Sequence, residues 1–367
     1  MKEYSVEEVQ KRISEIQREN KIPGILICGQ TGAGKSSVVN YIFDESVSTA
    51  GVGTPCTKGI KLYQNNTVNI YDSEGYEIGS EKQAHYEKLI FDDFLLQKKG
   101  YTEDSINIIW YTISAAGKRF TDLDISLIKK ISQEGFPICV LLAKIDELDD
   151  KSLLELENEL KKALPVFPIF KTSILAKNDE AVAKYCDWEK IITWTYEKLP
   201  ENLKFRYVSA LQECLELKRN TADNYINLAS LAAAGIAASP IPFSDAALLV
   251  PLQTGLLMEI CSLYGIKISN SGIFSFVLDI GVSQLGKSIA GNLIKLIPGI
   301  GTAIGTMINV TVASTITKAV GTALSEAIYI QCKKSTEGKA PVIDIEAIIS
   351  SGEFIKKVIE MYKSTKV

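Results

Sequence analysis

A chain of 367 residues exceeds what one ordinary hydrophobic core organises, so two domains are expected. Its 46% hydrophobic and 23% charged residues are those of a globular protein, and a formal charge of −4 gives no electrostatic reason to expect nucleic acid as a partner. A single histidine, His85, and seven cysteines without a CxxC pair make a zinc site improbable and suit a reduced, cytoplasmic setting.

The first twenty residues are charged throughout, which predicts an N-terminal helix over 1–22 and not a secretory signal. From about 23 to 200, short β-rich runs alternate with amphipathic stretches, the pattern of an α/β domain with a mainly parallel sheet flanked by helices. Strands are expected at 24–29, 60–64, 68–72, 106–114, 138–144 and 166–173, the second and third joined as an antiparallel hairpin through "QNNT". The segments 80–99, 121–135 and 151–164 space their apolar residues three and four apart, as helices do.

Composition changes after 226. Between there and 331 the only charged residues are Asp245, Glu259, Lys267, Asp279, Lys287, Lys295, Lys318 and Glu326, so an all-α apolar helical domain is expected over 201–334, followed by a connector and one last helix over 335–367. Residues 226–244 and 296–317 carry almost no charge and approach the roughly 20 residues that cross a bilayer. Ile300, Ile304, Ile308, Val312, Ile316, Val320, Leu324 and Ile328 recur every fourth residue, a stripe that winds around a helix and needs apolar surroundings on most sides. Three readings stand: a bundle that touches a membrane surface through 226–331, a wholly soluble bundle, and spanning helices.

"GILICGQTGAGKSS" satisfies GxxxxGK[ST] directly after a strand and before a helix. Its glycines let the backbone curl so that N–H groups of Gly29, Gln30, Thr31, Gly32, Ala33, Gly34, Lys35, Ser36 and Ser37 face phosphate; Lys35 reaches the β- and γ-oxygens, and the Ser36 hydroxyl ligates Mg²⁺. Downstream, "VNIYDSEG" ends a strand in Asp72, suited to hold Mg²⁺ through water, and places Gly75 where an amide senses a γ-phosphate. The polar stretch 46–63 between them reads as a mobile loop; Thr57, with Thr54 as second choice, is the candidate to complete the Mg²⁺ shell. In "CVLLAKIDEL", Lys144 and Asp146 leave the end of a strand, Asp146 suited to accept from guanine N1–H and its amino group while the Lys144 stem covers the base.

The order GQTGAGKSS, a loop threonine, DSEG and AKID resembles the motif set of the translation-factor-related P-loop GTPases, near the Era-like and septin-like branches. The run 106–131 and the later "AASPIPFSDAALLVPLQTGLLMEICSLYGIKI" and "GIGTAIGTMINVTVASTITKAVGTALSEAI" resemble bacterial G proteins whose G domain is joined to a conserved helical domain of unknown function. The immunity-related GTPases are similar at a greater distance. The resemblance implies binding of GTP and GDP with Mg²⁺, slow hydrolysis with Lys35, Thr57 and Gly75 at the reacting phosphate, metal ligation by Ser36, Thr57 and Asp72, and Ser173 in the loop over guanine O6. Two departures qualify it. Tyr76 stands where a water-orienting Gln is usual, which implies slow turnover or a group supplied from elsewhere, such as Arg119 across a G-domain homodimer. Ala143 replaces the Asn or Thr that ties the base loop to the phosphate loop, which implies weaker binding with base identity kept. A pseudo-GTPase scaffold that binds nucleotide without turnover is the alternative; a small-molecule kinase, for which no Arg-rich lid is present, is the weaker one.

Overall fold

A computed structural model describes residues 21–43, 54–57, 59–77, 79–100, 105–117, 120–237, 245–266, 310–334 and 343–364. The expected N-terminal helix lies outside them, as does Arg119. The chain divides into two compact units, Lys21–Glu213 and Cys214–Val367, the second also counting Met1–Asn20.

In the first unit β1 (Gly24–Gly29) is buried at all positions, as a strand covered on both faces must be. It pairs in parallel with β4 (Asn69–Ser73) and β5 (Ile108–Ser114); β6 (Ile138–Ala143) and β7 (Ile169–Thr172) continue the parallel ladder. β3 (Ile60–Gln64) runs antiparallel to β4, the expected hairpin, with Asn65 Oδ1 accepting the N–H groups of Thr67 and Val68 in its turn. The order is β2-β3-β4-β1-β5-β6-β7. β7 begins only at Ile169, three residues after its expected start at Val166, which is 82% exposed; Pro168, having no N–H, contributes only its carbonyl, to Val140 N–H. A second correction concerns the loop: Thr54–Thr57 form an edge strand, β2, folded onto β3 through Gly59, so the polar stretch 46–63 is not all loop.

The helices are α1 (Lys35–Ile42), α2 (Ser80–Glu87), α3 (Asp122–Gln133), α4 (Asp150–Ala163), α5 (Glu180–Ala183), α6 (Trp188–Lys198) and α7 (Glu201–Ala210). The single helix expected over 80–99 is in fact α2, then a π-helix over Lys88–Leu95, then a 3₁₀ turn over Leu96–Lys98. Its apolar pairs Ile90–Phe91 and Phe94–Leu95 are buried, and apolar spacing alone does not reveal a widened helix. α7, expected to open the helical domain, belongs to the first unit. Leu211 bridges Phe43, Gln212 N–H donates to the Ile42 carbonyl at 3.1 Å, and Tyr207 meets Phe43 edge to face.

In the second unit α8 (Leu215–Ala237), α9 (Asp245–Leu263) and α10 (Val310–Lys334) pack together, and α12 (Gly352–Ser364) packs on α10. The tail expected as one helix is two, α11 (Ile345–Ser350) and α12, because Ser351 adopts an extended backbone and its hydroxyl instead accepts from Phe354 N–H at 3.1 Å, a cap for the second helix. Most of 296–317 lies outside the described residues, among which no helix is long and apolar enough to cross a membrane.

Candidate functional site

Parallel strands deliver their carboxyl ends to one edge of a sheet, and the ends of β1, β4, β6 and β7 carry the phosphate loop, DSEG, AKID and Ser173, while Thr54 and Thr57 lie on the antiparallel β2. After β1 the chain turns through Gly29, with φ 131°, where an added Cβ would stand 2.1 Å from the Thr112 carbonyl of β5. Gly34 caps α1 in the left-handed region, and no side chain satisfies that cap, so the first-turn N–H groups face outward toward an anion.

Lys35 is 7% exposed, and its ammonium donates to the carbonyls of Gly29 at 3.2 Å and Gln30 at 3.0 Å. Burial pulls its pKa below the usual lysine value, opposed by the Asp72 carboxylate. Ser36 Oγ donates to Asp72 Oδ2 at 2.8 Å, while Asp72 Oδ1 is buried without a partner. Burial raises the Asp72 pKa above the usual carboxylate value, against the Ser36 hydrogen bond and the Lys35 and Lys61 charges. A hydroxyl and a carboxylate with one orphaned oxygen form a hard-oxygen pair that fits Mg²⁺ with water and phosphate as further ligands. Thr57 pairs with Ile60 through the backbone; its side chain lies outside what is described.

These residues line a cavity of about 490 Å³ whose walls include Gly32, Gly34, Lys35, Ser36, Asp72 and Lys144. A second cavity, about 150 Å³, is lined by Ala143, Lys144, Asp146, Ser173, Ile174 and Trp188 among others. Gly34, Ser37 and Lys144 belong to both walls, so the two spaces adjoin. Lys144 holds the left-handed region at φ 61°, an uncommon state for a side-chain-bearing residue, and leads a 3₁₀ turn, Ile145–Glu147, that presents Asp146. Ala143 Cβ lies 3.6 Å from where a Cβ on Gly34 would be, so the AKID turn presents a methyl group to the phosphate loop. Ser173 Oγ accepts from Leu175 N–H at 3.1 Å and caps the 3₁₀ turn that walls this cavity.

Of the expected phosphate loop, Gly29, Gln30, Thr31 and Ala33 stand outside both cavity walls. The Gly29 N–H donates to the Tyr86 hydroxyl at 2.9 Å, the Thr31 N–H to the Tyr76 carbonyl at 2.9 Å, and the Ala33 N–H to the Gln30 carbonyl at 3.2 Å. Gly75 is docked on this loop: an added Cβ would lie 2.6 Å from Lys35 Nζ, 2.8 Å from Thr31 N and 2.9 Å from the Gly29 oxygen, so only glycine fits. Tyr76 does not face the phosphate cavity. Its hydroxyl donates to Asp124 Oδ1 at 2.6 Å and lies 3.0 Å from Thr121 Oγ1; Tyr111 donates to the same carboxylate oxygen at 2.8 Å. Asp124 Oδ2 accepts from the Thr121 N–H, closing the capping box of α3. The "TDLD" of that box is legible in the sequence; its tie to Tyr76 is not.

Residues 208–344 match a family described as "Domain of unknown function (DUF697)". A probable GTP-binding protein EngB of Mesomycoplasma hyopneumoniae is 26% identical over 144 residues, 38% of this chain and 69% of that protein. Cell division control protein 10 of Candida albicans is 26% identical over 166 residues, 38% of this chain and 45% of its own length. Among solved structures, a probable GTP-binding protein engB has a TM-score of 0.35 at 15% identity, covering 48% of this chain and 97% of that one. Aquifex aeolicus Era Y63A bound to GDP.AlF4- has a TM-score of 0.35 at 19% identity, covering 58% of this chain and 68% of that one.

Proposed function

We propose that this chain, a P-loop GTPase G domain followed by a DUF697 helical domain, is a guanine-nucleotide switch that hydrolyses GTP slowly. The observation that carries this is the pair of adjoining cavities, one holding Lys35, Ser36 and Asp72 and the other Asp146, with Lys144 in the wall of both. Lys35 neutralises charge on the β- and γ-phosphates, and the amides at the start of α1 take phosphate oxygens. Ser36 and Asp72, with Thr57 as the candidate third ligand, hold Mg²⁺, which when bound offsets charge on the phosphate oxygens. The Asp146 carboxylate accepts from the guanine N1–H and amino group, a pair adenine does not offer. Supporting slow turnover, the Tyr76 hydroxyl is spent on Asp124 and leaves the position beside Gly75 without a group that orients water. A second G domain or another partner then supplies it.

Titration with a fluorescent N-methylanthraniloyl-GTP tests the base reading: micromolar or tighter binding competed by GTP and not by ATP is expected, and equal competition by ATP removes it. The buried Tyr76 favours one second reading, a scaffold that binds nucleotide without turnover. Phosphate release measured at high protein concentration and with liposomes separates the two, since no release under any condition leaves only the scaffold.

The cytoplasm is the proposed location, with the helical domain engaging a membrane surface or a partner. Its low charge between 226 and 331 supports this. Co-sedimentation with liposomes should carry down the full chain and not residues 1–213; equal recovery of both in the supernatant excludes the membrane.

A further inference from the structure

Tyr86 stands on α2 with its ring 4% exposed, in a segment whose sequence shows only helical spacing. Its hydroxyl accepts from the Gly29 N–H at 2.9 Å, shares a hydrogen bond with Ser73 Oγ at 2.9 Å, and lies 3.4 Å from the Gly29 carbonyl oxygen. That carbonyl is the acceptor for the Lys35 ammonium at 3.2 Å. Ser73 directly follows Asp72. One phenol therefore touches both the N–H and the carbonyl of Gly29, the first residue of the phosphate loop, and the residue next to the candidate metal ligand. It belongs to the helix after DSEG, and its ring also packs on Tyr76 with centroids 5.2 Å apart.

A phenol has one proton to give. When it goes to Ser73 Oγ, the Gly29 carbonyl accepts from Lys35 alone; when Ser73 donates instead, the phenol proton turns to that carbonyl, whose two lone pairs then serve Tyr86 and Lys35 together. We propose that Tyr86 is a positioning residue for phosphate binding, its hydroxyl fixing Gly29 at its N–H and through that residue's carbonyl Lys35, and tying the helix after DSEG to the phosphate loop. This rests on the guanine-nucleotide reading above. Its consequence is selective: what Tyr86 holds serves the β-phosphate and beyond, because Lys35 reaches no further toward the base.

The test uses the full chain with Mg²⁺, measuring affinities for GDP and for GMP by displacement of N-methylanthraniloyl-GDP. Tyr86→Phe keeps the ring and removes one oxygen, leaving the Gly29 N–H unsatisfied. GDP affinity should fall about tenfold while GMP affinity stays within about twofold. A general loosening of the domain would weaken both nucleotides alike, and that result, or no loss of GDP affinity, overturns the proposal. Ser73→Ala, which removes the phenol's partner on β4, should show a smaller loss with the same GDP-over-GMP selectivity, and it decides the matter if Tyr86→Phe does not fold. A wild-type chain that binds neither nucleotide refutes the guanine reading and this role together.

Discussion

Asp146 sits on a 3₁₀ turn whose lead residue, Lys144, is held at φ 61°, and this small piece of geometry aims the carboxylate at the cavity beyond Gly34. An amide in its place turns one acceptor into a donor, which opposes the guanine N1–H and suits the carbonyl of xanthine. Asp146→Asn should lower affinity for guanosine nucleotides about a hundredfold and raise it for xanthosine nucleotides, because one of the two charge-assisted hydrogen bonds to the base is reversed. Competition titration with XDP and GDP measures it, and a variant that keeps its preference for GDP contradicts the role. Ala143 belongs to the same argument. Its methyl faces the phosphate loop at Gly34, where an amide would reach to hydrogen-bond, so Ala143→Asn should tighten GDP binding about threefold by adding one such bond. Residues whose chemistry lies in their own side chain, Lys35, Ser36, Asp72 and Asp146, are legible in sequence because the motif fixes both type and spacing. Tyr86 and the Tyr76–Asp124 pair are not, since a buried phenol, on a helix for Tyr86 and in the turn after β4 for Tyr76, reads as core until its partner 57 or 48 positions away is known.

Helix periodicity tells which residues are apolar but not how closely two axes approach. Gly321 in α10 shows the difference. A Cβ there would lie 2.9 Å from Ile226 Cγ1 of α8 and 3.1 Å from Leu256 Cδ2 of α9, so three helices meet at a position without a side chain. Replacing it by alanine gains about 1 kcal/mol of helix propensity, but the new methyl meets Ile226 Cγ1, which a β-branched side chain holds stiffly, so the clash offsets the gain. Valine adds two more carbons, keeps less of the propensity gain, and overpacks the junction by about 1–3 kcal/mol. Gly321→Val should therefore lower the melting temperature of the helical unit in the full chain by about 3–8 °C, read by circular dichroism. An unchanged melting temperature means the helices do not meet there. The abundance of small residues in this half was visible in the sequence. Which glycine lies at the contact was not, and neither was the break at Ser351, although Gly352 stands directly after it and opens α12.

At the scale of the whole molecule, the boundary between the two units follows packing and not composition. The sequence loses its strand pattern near 200, yet α7 is buried through Leu203, Phe205, Tyr207 and Val208, and the turn after it hydrogen-bonds back to the end of α1. Phe43 is covered by Tyr207 on one side and stacks on Trp110 on the other, while the Trp110 indole donates to Thr195 at 3.1 Å. Removing α7 and Leu211 takes away five large buried apolar side chains, whose burial contributes about 1.5–3 kcal/mol each. Their sum is comparable to the roughly 5–15 kcal/mol that holds an ordinary domain folded. A chain ending at Pro200 should therefore be unfolded or aggregate, whereas one ending at Glu213 should fold and bind GDP within about threefold of the full chain, because every residue of both cavities lies before 213. Cooperative thermal unfolding, together with N-methylanthraniloyl-GDP titration of the two truncations, separates them. Equal behaviour would place α7 outside the nucleotide-binding unit, and loss of binding by the longer fragment would mean that the helical unit takes part in holding the nucleotide.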